Sequence, residues 1–144
     1  MDRMVLRVNQ IKAVKPEKIF LMAGINGLDK QDINEFTEKY QTLVDSIKTC
    51  CPAAKIYLQS ILPVNPTMKY GKFFNKGKIL ECNNIIKRIA KRKGCVYMNL
   101  YKLYAVNDIM PKELTKDGVH LRPYAYDRWA DEISIYIYEG KEKQ

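Results

Sequence analysis

A short, uninterrupted apolar run near the start is the feature that most constrains how this chain can fold. The run consists of Ile19, Phe20, Leu21, Met22 and Ala23, and Gly24 follows it directly. A strand that is apolar on both faces has to be covered on both faces, as in the parallel sheets of α/β proteins. The run therefore predicts a buried parallel strand, after which Gly24 permits a sharp turn.

Helical and strand patterns alternate along the rest of the chain. In chain order they are a helix ending near Pro16, the strand at 19–23, a helix at 33–47, a strand at 55–62, a loop at 63–76, a helix at 79–93, a strand at 95–100 and a final helix beginning near Pro123. Either Asp29 or Asp32 can cap the second helix. The alternation predicts an α/β fold with a parallel sheet, in a single domain over residues 1–144.

The final helix is predicted to bury one face. Pro123 suits its first turn, because the amide that a proline lacks has no partner there in any case. Apolar residues then recur at helical spacing. The predicted inner face comprises Tyr126, Trp129, Ala130, Ile133 and Ile137.

The net charge of +9 raises the hypothesis of a nucleic-acid partner. Its densest cluster is Lys87-Arg88 with Lys91-Arg92-Lys93. That cluster lies on the polar side of a predicted helix, so a solvated helix face explains it, and no nucleic-acid motif accompanies it. No apolar stretch reaches the roughly eighteen residues that a membrane helix needs. Neither a nucleic-acid partner nor a membrane span is therefore predicted.

The four cysteines are predicted to be free thiols. They are Cys50, Cys51, Cys82 and Cys95. No Cys-x-x-Cys pair is present, and one histidine cannot complete a usual zinc set, so no metal site is predicted. Free thiols favour a reducing compartment such as the cytoplasm, but any signal peptide would lie upstream of Met1, so the localisation stays open.

The only histidine, His120, stands three residues after Asp117. A carboxylate at that spacing can fold back and hold one ring nitrogen, which leaves the other free to act as a general base. Gly118 lies between them and permits the tight turn that this contact requires. The opposing interpretation is a structural histidine at a helix start, with Asp117 as a turn or cap residue.

Asn26 follows the first predicted strand in the sequence Gly24-Ile25-Asn26. A side-chain amide at that place can donate a hydrogen bond to a developing oxyanion. On its own, Gly-x-Asn indicates no more than a turn.

Taken together, these segments resemble the SGNH hydrolases, also called GDSL-type esterases. Residues 20–27 are similar to the family's Gly-x-Asn-Asp block, although Gly27 stands in place of the aspartate. Residues 114–121 are similar to its Asp-x-x-His block, and residues 59–63 look like a strand end in relatives of the platelet-activating-factor acetylhydrolase type. The resemblance covers nearly the whole chain.

The resemblance implies a serine ester hydrolase that works through an acyl-enzyme, with no cofactor. It implies His120 as general base, Asp117 as its orienting partner, and an oxyanion hole at Asn26 and Gly24. The expected substrate is a short acyl or acetyl ester of a lipid or a sugar. The family's Gly-Asp-Ser block is missing from this sequence, so we expect the chain alone to be inactive.

Ser60 is the only serine near a predicted strand end and is therefore a weak candidate for the nucleophile. The other two serines, Ser46 and Ser134, fall within predicted helices. The family uses a different strand for its serine, and a small residue packed under a helix is the better interpretation of Ser60.

The resemblance also implies a flavodoxin-like sheet that lacks its first two strands. Residues 19–23 would then form an open apolar edge, which would pair with a second copy of the chain or with a missing N-terminal segment. A truncated product, a separate first part of the polypeptide and a natural fragment are all possible, and truncation is favoured because Met1 falls within a predicted helix.

A non-catalytic binding module on the same scaffold, with carbohydrate as a plausible ligand, is the alternative to an esterase.

Overall fold

Three parallel strands flanked by helices confirm the predicted α/β fold. The computed structural model describes residues 2–5 and 7–138. Contacts separate the chain into two compact units, the first comprising Met1–Ile61 and Gly77–Asn99 and the second Leu62–Lys76 and Leu100–Gln144. The single domain over residues 1–144 stays a prediction.

The first unit contains four helices and the sheet. Its elements are α1 (Asp2–Val5), α2 (Val8–Val14), β1 (Lys18–Leu21), α3 (Ile33–Cys50), β2 (Lys55–Gln59), α4 (Lys76–Lys93, with Lys76 in the second unit) and β3 (Val96–Met98). The single helix expected before Pro16 is two helices, and the second ends where Lys15 adopts the left-handed conformation. All three strands are shorter than the apolar runs that predict them.

The sheet has the order β1-β2-β3, with every neighbouring pair parallel. Lys18 lies beside Lys55, and Tyr57 lies beside Val96. The central strand β2 is buried from Ile56 to Gln59, whereas most of β1 is half-buried. Among the described residues, β1 is therefore an edge strand with a partner on one side only.

Helices α3 and α4 each bury one apolar face, as their periodicity predicts. The buried residues of α3 are Phe36, Tyr40, Leu43, Val44 and Ile47. Of the two candidate capping residues, Asp32 is the one that caps α3, and its carboxylate accepts hydrogen bonds from the amides of Asn34 at 2.7 Å and Glu35 at 2.9 Å. These bonds satisfy two of the amides that a helix N-terminus leaves without partners.

Asn83 on α4 holds the backbone at the point where the chain leaves β2. Its side-chain oxygen accepts from the Ile61 amide at 2.7 Å, and its nitrogen donates to the Ile61 carbonyl at 2.9 Å. Both groups are buried, so each would carry a desolvation cost without this partner. Asn83 thereby provides the two backbone hydrogen bonds that a neighbouring strand would give to Ile61.

All four cysteines are free thiols, as predicted. Cys51 and Cys82 are buried, and the other two are half-buried. Burial, reinforced by the negative charge of Glu81 and opposed by Lys78, raises the pKa of Cys82 to about 12. This thiol is therefore protonated and unreactive at neutral pH.

The second unit has its own apolar core. That core is formed by Tyr104, Met110, Leu114, Leu121 and Ala125, with Leu62, Leu103 and Trp129 packed partly against it. The unit contains a 3₁₀ turn at Gly71–Phe73, α5 (Tyr101–Tyr104), a second 3₁₀ turn at Pro123–Ala125, and α6 (Tyr126–Tyr138). The Tyr104 hydroxyl donates to the Ala125 carbonyl at 2.8 Å, which ties α5 to the start of the last helix.

The predicted inner face of the final helix is only partly buried: no residue of α6 is fully buried, but Trp129 and Ile133 are half-buried. Trp129 is half-buried against the second core, whereas Tyr126, Ala130 and Ile137 are exposed. Helical spacing fixes which side of a helix is apolar, but it does not fix whether another element covers that side. Among residues 2–5 and 7–138, no helix is long and apolar enough to cross a membrane.

Replacement of Asn83 by alanine tests its hold on Ile61. We expect Asn83→Ala to lower the free energy of unfolding by about 3 kcal/mol, because two buried backbone groups lose their partners. The measurement is urea denaturation followed by circular dichroism.

Asn84 is the matched control, since it is the next residue of α4 and is exposed. Asn84→Ala should change the free energy of unfolding by no more than about 0.5 kcal/mol. Equal losses for the two variants would contradict the role given to Asn83.

Candidate functional site

The loop that carries the only histidine is closed by Thr115. Thr115 and Leu121 form an isolated antiparallel bridge across its base. The Thr115 hydroxyl donates to the His120 carbonyl at 2.8 Å and accepts from the Gly118 amide at 3.0 Å. Thr115 has no exposed surface, so this hydroxyl is a buried polar group with both of its roles satisfied. Thr115 therefore holds the loop from inside.

Within this loop the structure brings Asp117 and His120 together. One carboxylate oxygen, Oδ2, lies 2.8 Å from His120 Nδ1. The other oxygen, Oδ1, accepts from the backbone amides of Val119 at 3.0 Å and His120 at 2.9 Å. Three donors thus fix the carboxylate, and the carboxylate in turn fixes the imidazole ring.

These hydrogen bonds also control the charge of Asp117. Its side chain is only 12% exposed, and burial acts to raise the pKa of the carboxyl. Hydrogen bonds from the His120 amide, the His120 ring and the Val119 amide outweigh burial and lower the pKa below its ordinary value of 3.8. Asp117 is therefore ionised at neutral pH, and it accepts a hydrogen bond from the Nδ1–H group of His120.

The other ring nitrogen of His120, Nε2, has no hydrogen-bond partner among the described residues. The side chain is 64% exposed, so solvent or a ligand can reach it. With Nδ1–H directed at the carboxylate, the lone pair of the neutral ring lies on Nε2. An imidazole held in this way can accept a proton from a neighbouring hydroxyl group.

Backbone contacts from a distant loop support the pair. Gly118 adopts a φ of +96°, and its carbonyl accepts from the Asn65 amide at 2.8 Å. The Tyr70 amide donates to the Asp117 carbonyl at 2.9 Å. A Cβ on Gly71 would lie 1.9 Å from the Asn65 carbonyl oxygen, so only glycine fits there. The two loops meet backbone to backbone.

Asn65, Thr115 and Gly71 were not predicted as site residues. The Asn65 side chain donates to the Met110 carbonyl at 2.8 Å and accepts from the Thr67 hydroxyl at 2.7 Å. In a polar, proline-containing loop, the sequence around a buried asparagine does not differ from the sequence around a solvated one. No sequence signal therefore identifies these three supports in advance.

Gly24 and Asn26, the predicted oxyanion-hole residues, belong to the first unit. Gly24 has a φ of +124°, and a Cβ there would lie 2.8 Å from the Phe36 ring, so glycine is required by both conformation and space. Asn26 begins the turn that follows and is exposed. Its amide makes no hydrogen bond within the described part of the chain and is available as a donor.

Ser60, the weak candidate for the nucleophile, is completely buried in the first unit. Its amide donates to the Met98 carbonyl at 2.9 Å, and its hydroxyl is hydrogen-bonded to that of Tyr97. A hydroxyl without exposed surface cannot meet a substrate, which favours the interpretation of Ser60 as a packed strand residue.

A cavity lies elsewhere in the first unit. It has a volume of about 600 Å³ and is lined by Val5, Val8, Lys12, Thr42, Asp45, Ser46, Thr49 and Cys50. None of the predicted site residues lines it. No group of three or more metal-ligating side chains occurs among residues 2–5 and 7–138.

Comparisons with known proteins show which protein family and which solved structures this chain is similar to. The model of the GDSL-like lipase/acylhydrolase family matches residues 1–128. No significant match was found among curated proteins. Among solved structures, a protein described as a platelet activating factor from Streptococcus pneumoniae is 27% identical, with a TM-score of 0.78, and the match covers 85% of this chain.

Two further structures share the fold at lower identity. A protein from Bacteroides fragilis described as an acylhydrolase is 19% identical, with a TM-score of 0.79, covering 94% of this chain and 68% of that one. An acetyl xylan esterase is 20% identical, with a TM-score of 0.76, covering 93% and 74%. The chain spans only 60% of the length of the Streptococcus protein.

The lowered pKa of Asp117 predicts how the stability of the loop depends on pH. Above pH 3.8, the ordinary pKa of the carboxyl, the ionised Asp117 contributes its full stabilisation. This stabilisation is lost as the pH falls through the lower folded-state pKa. We expect wild type to be more stable than Asp117→Asn at neutral pH, with the difference shrinking below that range. Urea midpoints for both proteins, measured from about pH 7 to about pH 2, test this. A difference that stays constant would contradict it.

Proposed function

Because the chain belongs to the GDSL-like lipase/acylhydrolase family, we propose that it is part of a carboxylic-ester hydrolase in which Asp117 and His120 form the general-base pair. The observation that carries this proposal is the 2.8 Å contact between Asp117 Oδ2 and His120 Nδ1. A half-buried, ionised carboxylate beside an exposed imidazole is the arrangement that orients a base and stabilises it once protonated.

The proposed substrate is a short acyl or acetyl ester of a sugar or a lipid. The acetyl xylan esterase that shares the fold supports the acetylated sugar, and the platelet activating factor relative supports the lipid ester. Acyl transfer by serine and histidine needs no metal or organic cofactor.

In the proposed reaction, His120 Nε2 takes the proton of a serine hydroxyl while the serine oxygen attacks the ester carbonyl. Asp117 stabilises the imidazolium, which then gives its proton to the departing alcohol. The acyl-serine that remains is cleaved by water, with His120 again as the base. We assign Asn26 as an oxyanion donor and Gly24 as the residue that permits its turn, on the strength of the motif alone.

The serine of this reaction comes, in our proposal, from a Gly-Asp-Ser block outside this sequence. The chain has three serines, and none is suited to the role. Ser60 is buried, and the hydroxyls of Ser46 and Ser134 donate to the carbonyls of Thr42 and Asp131 within their own helices. We therefore expect the 144-residue chain alone to be inactive.

Activity of the intact protein tests the role of His120. With 4-nitrophenyl acetate as substrate, His120→Ala should lower kcat/KM by about 10²- to 10⁴-fold, because the general base is lost. Lys116→Gln changes an exposed residue of the same loop and should leave kcat/KM within about two-fold of wild type. Equal activity of wild type and His120→Ala would contradict the proposal.

The absence of a suited serine favours, as second candidate, a binding module without catalysis, with carbohydrate as its ligand class. A fluorophosphonate probe separates the two functions, since it labels only an activated serine. Labelling of the intact protein, abolished by His120→Ala, supports the hydrolase. An intact protein that is neither labelled nor active, but binds acetylated oligosaccharides, supports the module.

We also propose that the open edge of β1 pairs with a second copy of the chain or with a preceding segment. The prediction concerned Ile19, Phe20, Leu21, Met22 and Ala23. The structure contains β1 at Lys18–Leu21, and Ile19 and Phe20 there are half-buried. A half-covered apolar strand with a strand neighbour on one side only favours the addition of a strand.

Sedimentation velocity tests self-pairing at β1. We expect wild type to form dimers at micromolar concentration and Ile19→Lys to be monomeric, because a charge on an edge strand opposes pairing. Val14→Lys is the control, since Val14 is exposed and lies outside the sheet. A wild type that stays monomeric at every concentration would exclude the second copy as the partner and leave only the preceding segment.

A further inference from the structure

A loop of the second unit, residues 68–76, combines positive charge with exposed aromatic rings. Its sequence is Met-Lys-Tyr-Gly-Lys-Phe-Phe-Asn-Lys, and no acidic residue occurs anywhere from position 62 to position 80. Phe73 is 60% exposed and Tyr70 is 43% exposed. Large apolar side chains with this exposure lie next to lysines on the same loop. We refer to residues 68–76 as the basic aromatic loop.

The lysines and the rings of this loop lie side by side. Lys69 Nζ is 5.0 Å from the centre of the Tyr70 ring, and Lys72 Nζ is 5.1 Å from the centre of the Phe73 ring. These are cation–π contacts at exposed positions, which hold ring and ammonium group together without neutralising the charge. Each pair therefore presents one apolar group and one cation side by side to any molecule that binds at this surface.

Little negative charge opposes these cations. Lys76 Nζ lies 3.5 Å from Asp108 Oδ2, and both side chains are about half exposed. Lys69 and Lys72 form no ion pair among the residues that the structure describes. The two cations beside the aromatic rings are thus free to meet an anionic partner.

The backbone of the loop is fixed, so the exposure of its rings is not a consequence of a loosely attached segment. The Tyr70 amide donates to the Asp117 carbonyl at 2.9 Å, and the Phe73 amide donates to the Tyr70 carbonyl at 3.2 Å. Gly71 is packed against the Asn65 carbonyl, with no room for a side chain. The exposed rings are therefore presented by a 3₁₀ turn whose backbone is bonded to the Asp117 loop.

We propose that the basic aromatic loop docks on an anionic lipid surface. Phe73 and Tyr70 would enter the boundary between headgroups and acyl chains, while Lys69 and Lys72 contact the anionic headgroups. The Phe73 ring has no hydrogen-bonding group and gains most in an apolar layer, which favours lipid over an acidic polysaccharide. This docking does not depend on the proposed ester hydrolysis.

Sedimentation of the full 144-residue chain with vesicles tests the proposal. The vesicles contain phosphatidylcholine alone or phosphatidylcholine with phosphatidylserine, and we expect binding only to the second kind, weakened by added salt. Lys69→Gln with Lys72→Gln should lower the partition coefficient about 25-fold, at about five-fold per lysine. Phe73→Ala should lower it about ten-fold through lost apolar contact with the lipid.

The matched control removes two exposed charges from α4 instead. Lys87→Gln with Lys91→Gln gives the same change in net charge on a helix that contains no aromatic residue, and it should lower the partition coefficient by less than about three-fold. Circular dichroism verifies that each variant is folded. Equal weakening by the control, or full binding by Phe73→Ala, would overturn the proposal, since binding would then follow overall charge alone.

A soluble polyanion gives the remaining arm of the test. Retention on heparin that the two loop substitutions abolish, together with unchanged vesicle binding, would assign the loop to a soluble partner and overturn the lipid proposal. None of these measurements uses an ester substrate. Failure of vesicle binding therefore leaves the hydrolase proposal untouched, and an inactive enzyme leaves the lipid proposal untouched.

Discussion

The close approach of Gly118 and Gly71 to the Asn65 carbonyl is the constraint on which the candidate site depends. A Cβ would lie 2.7 Å from that oxygen at Gly118 and 1.9 Å from it at Gly71. Because neither residue has a side chain, the Asn65 and Tyr70 amides can reach the carbonyls of Gly118 and Asp117. The loop bearing Asp117 and His120 is thus positioned by hydrogen bonds between backbone groups. A side chain on the surface could not make these bonds.

Asp117 connects this support to chemistry. Burial disfavours its charge, and three hydrogen bonds within the same loop more than compensate for that cost. The donors are available only when the turn at Gly118 is formed, so the ionisation of the carboxylate and the folding of the loop are coupled. The same carboxylate then determines which nitrogen of His120 carries the proton, and hence which nitrogen can act as a base.

Among the described residues, the edge of β1, helix α6 and the basic aromatic loop all expose apolar surface, and they differ in physical character. Strand β1 has a strand neighbour on one side only, so a further strand can be added at its edge. Helix α6 exposes large apolar side chains, among them Ile135 and Tyr138. The basic aromatic loop pairs exposed rings with unneutralised lysines, and it is the one surface whose charge specifies the chemistry of a partner.

The sequence by itself determined the order of strands and helices, because burial on one or both faces leaves a local period in the residues. It also determined the Asp117–His120 contact, because the two residues are three positions apart and a glycine between them permits the turn. Only the tertiary structure decided which of two aspartates caps α3, that α6 is covered only in part, and that Asn65, Gly71 and Thr115 hold the site. The support from Asn65 and Gly71 comes from contacts between segments far apart in the chain, and backbone contacts of that kind leave no period or motif in the sequence.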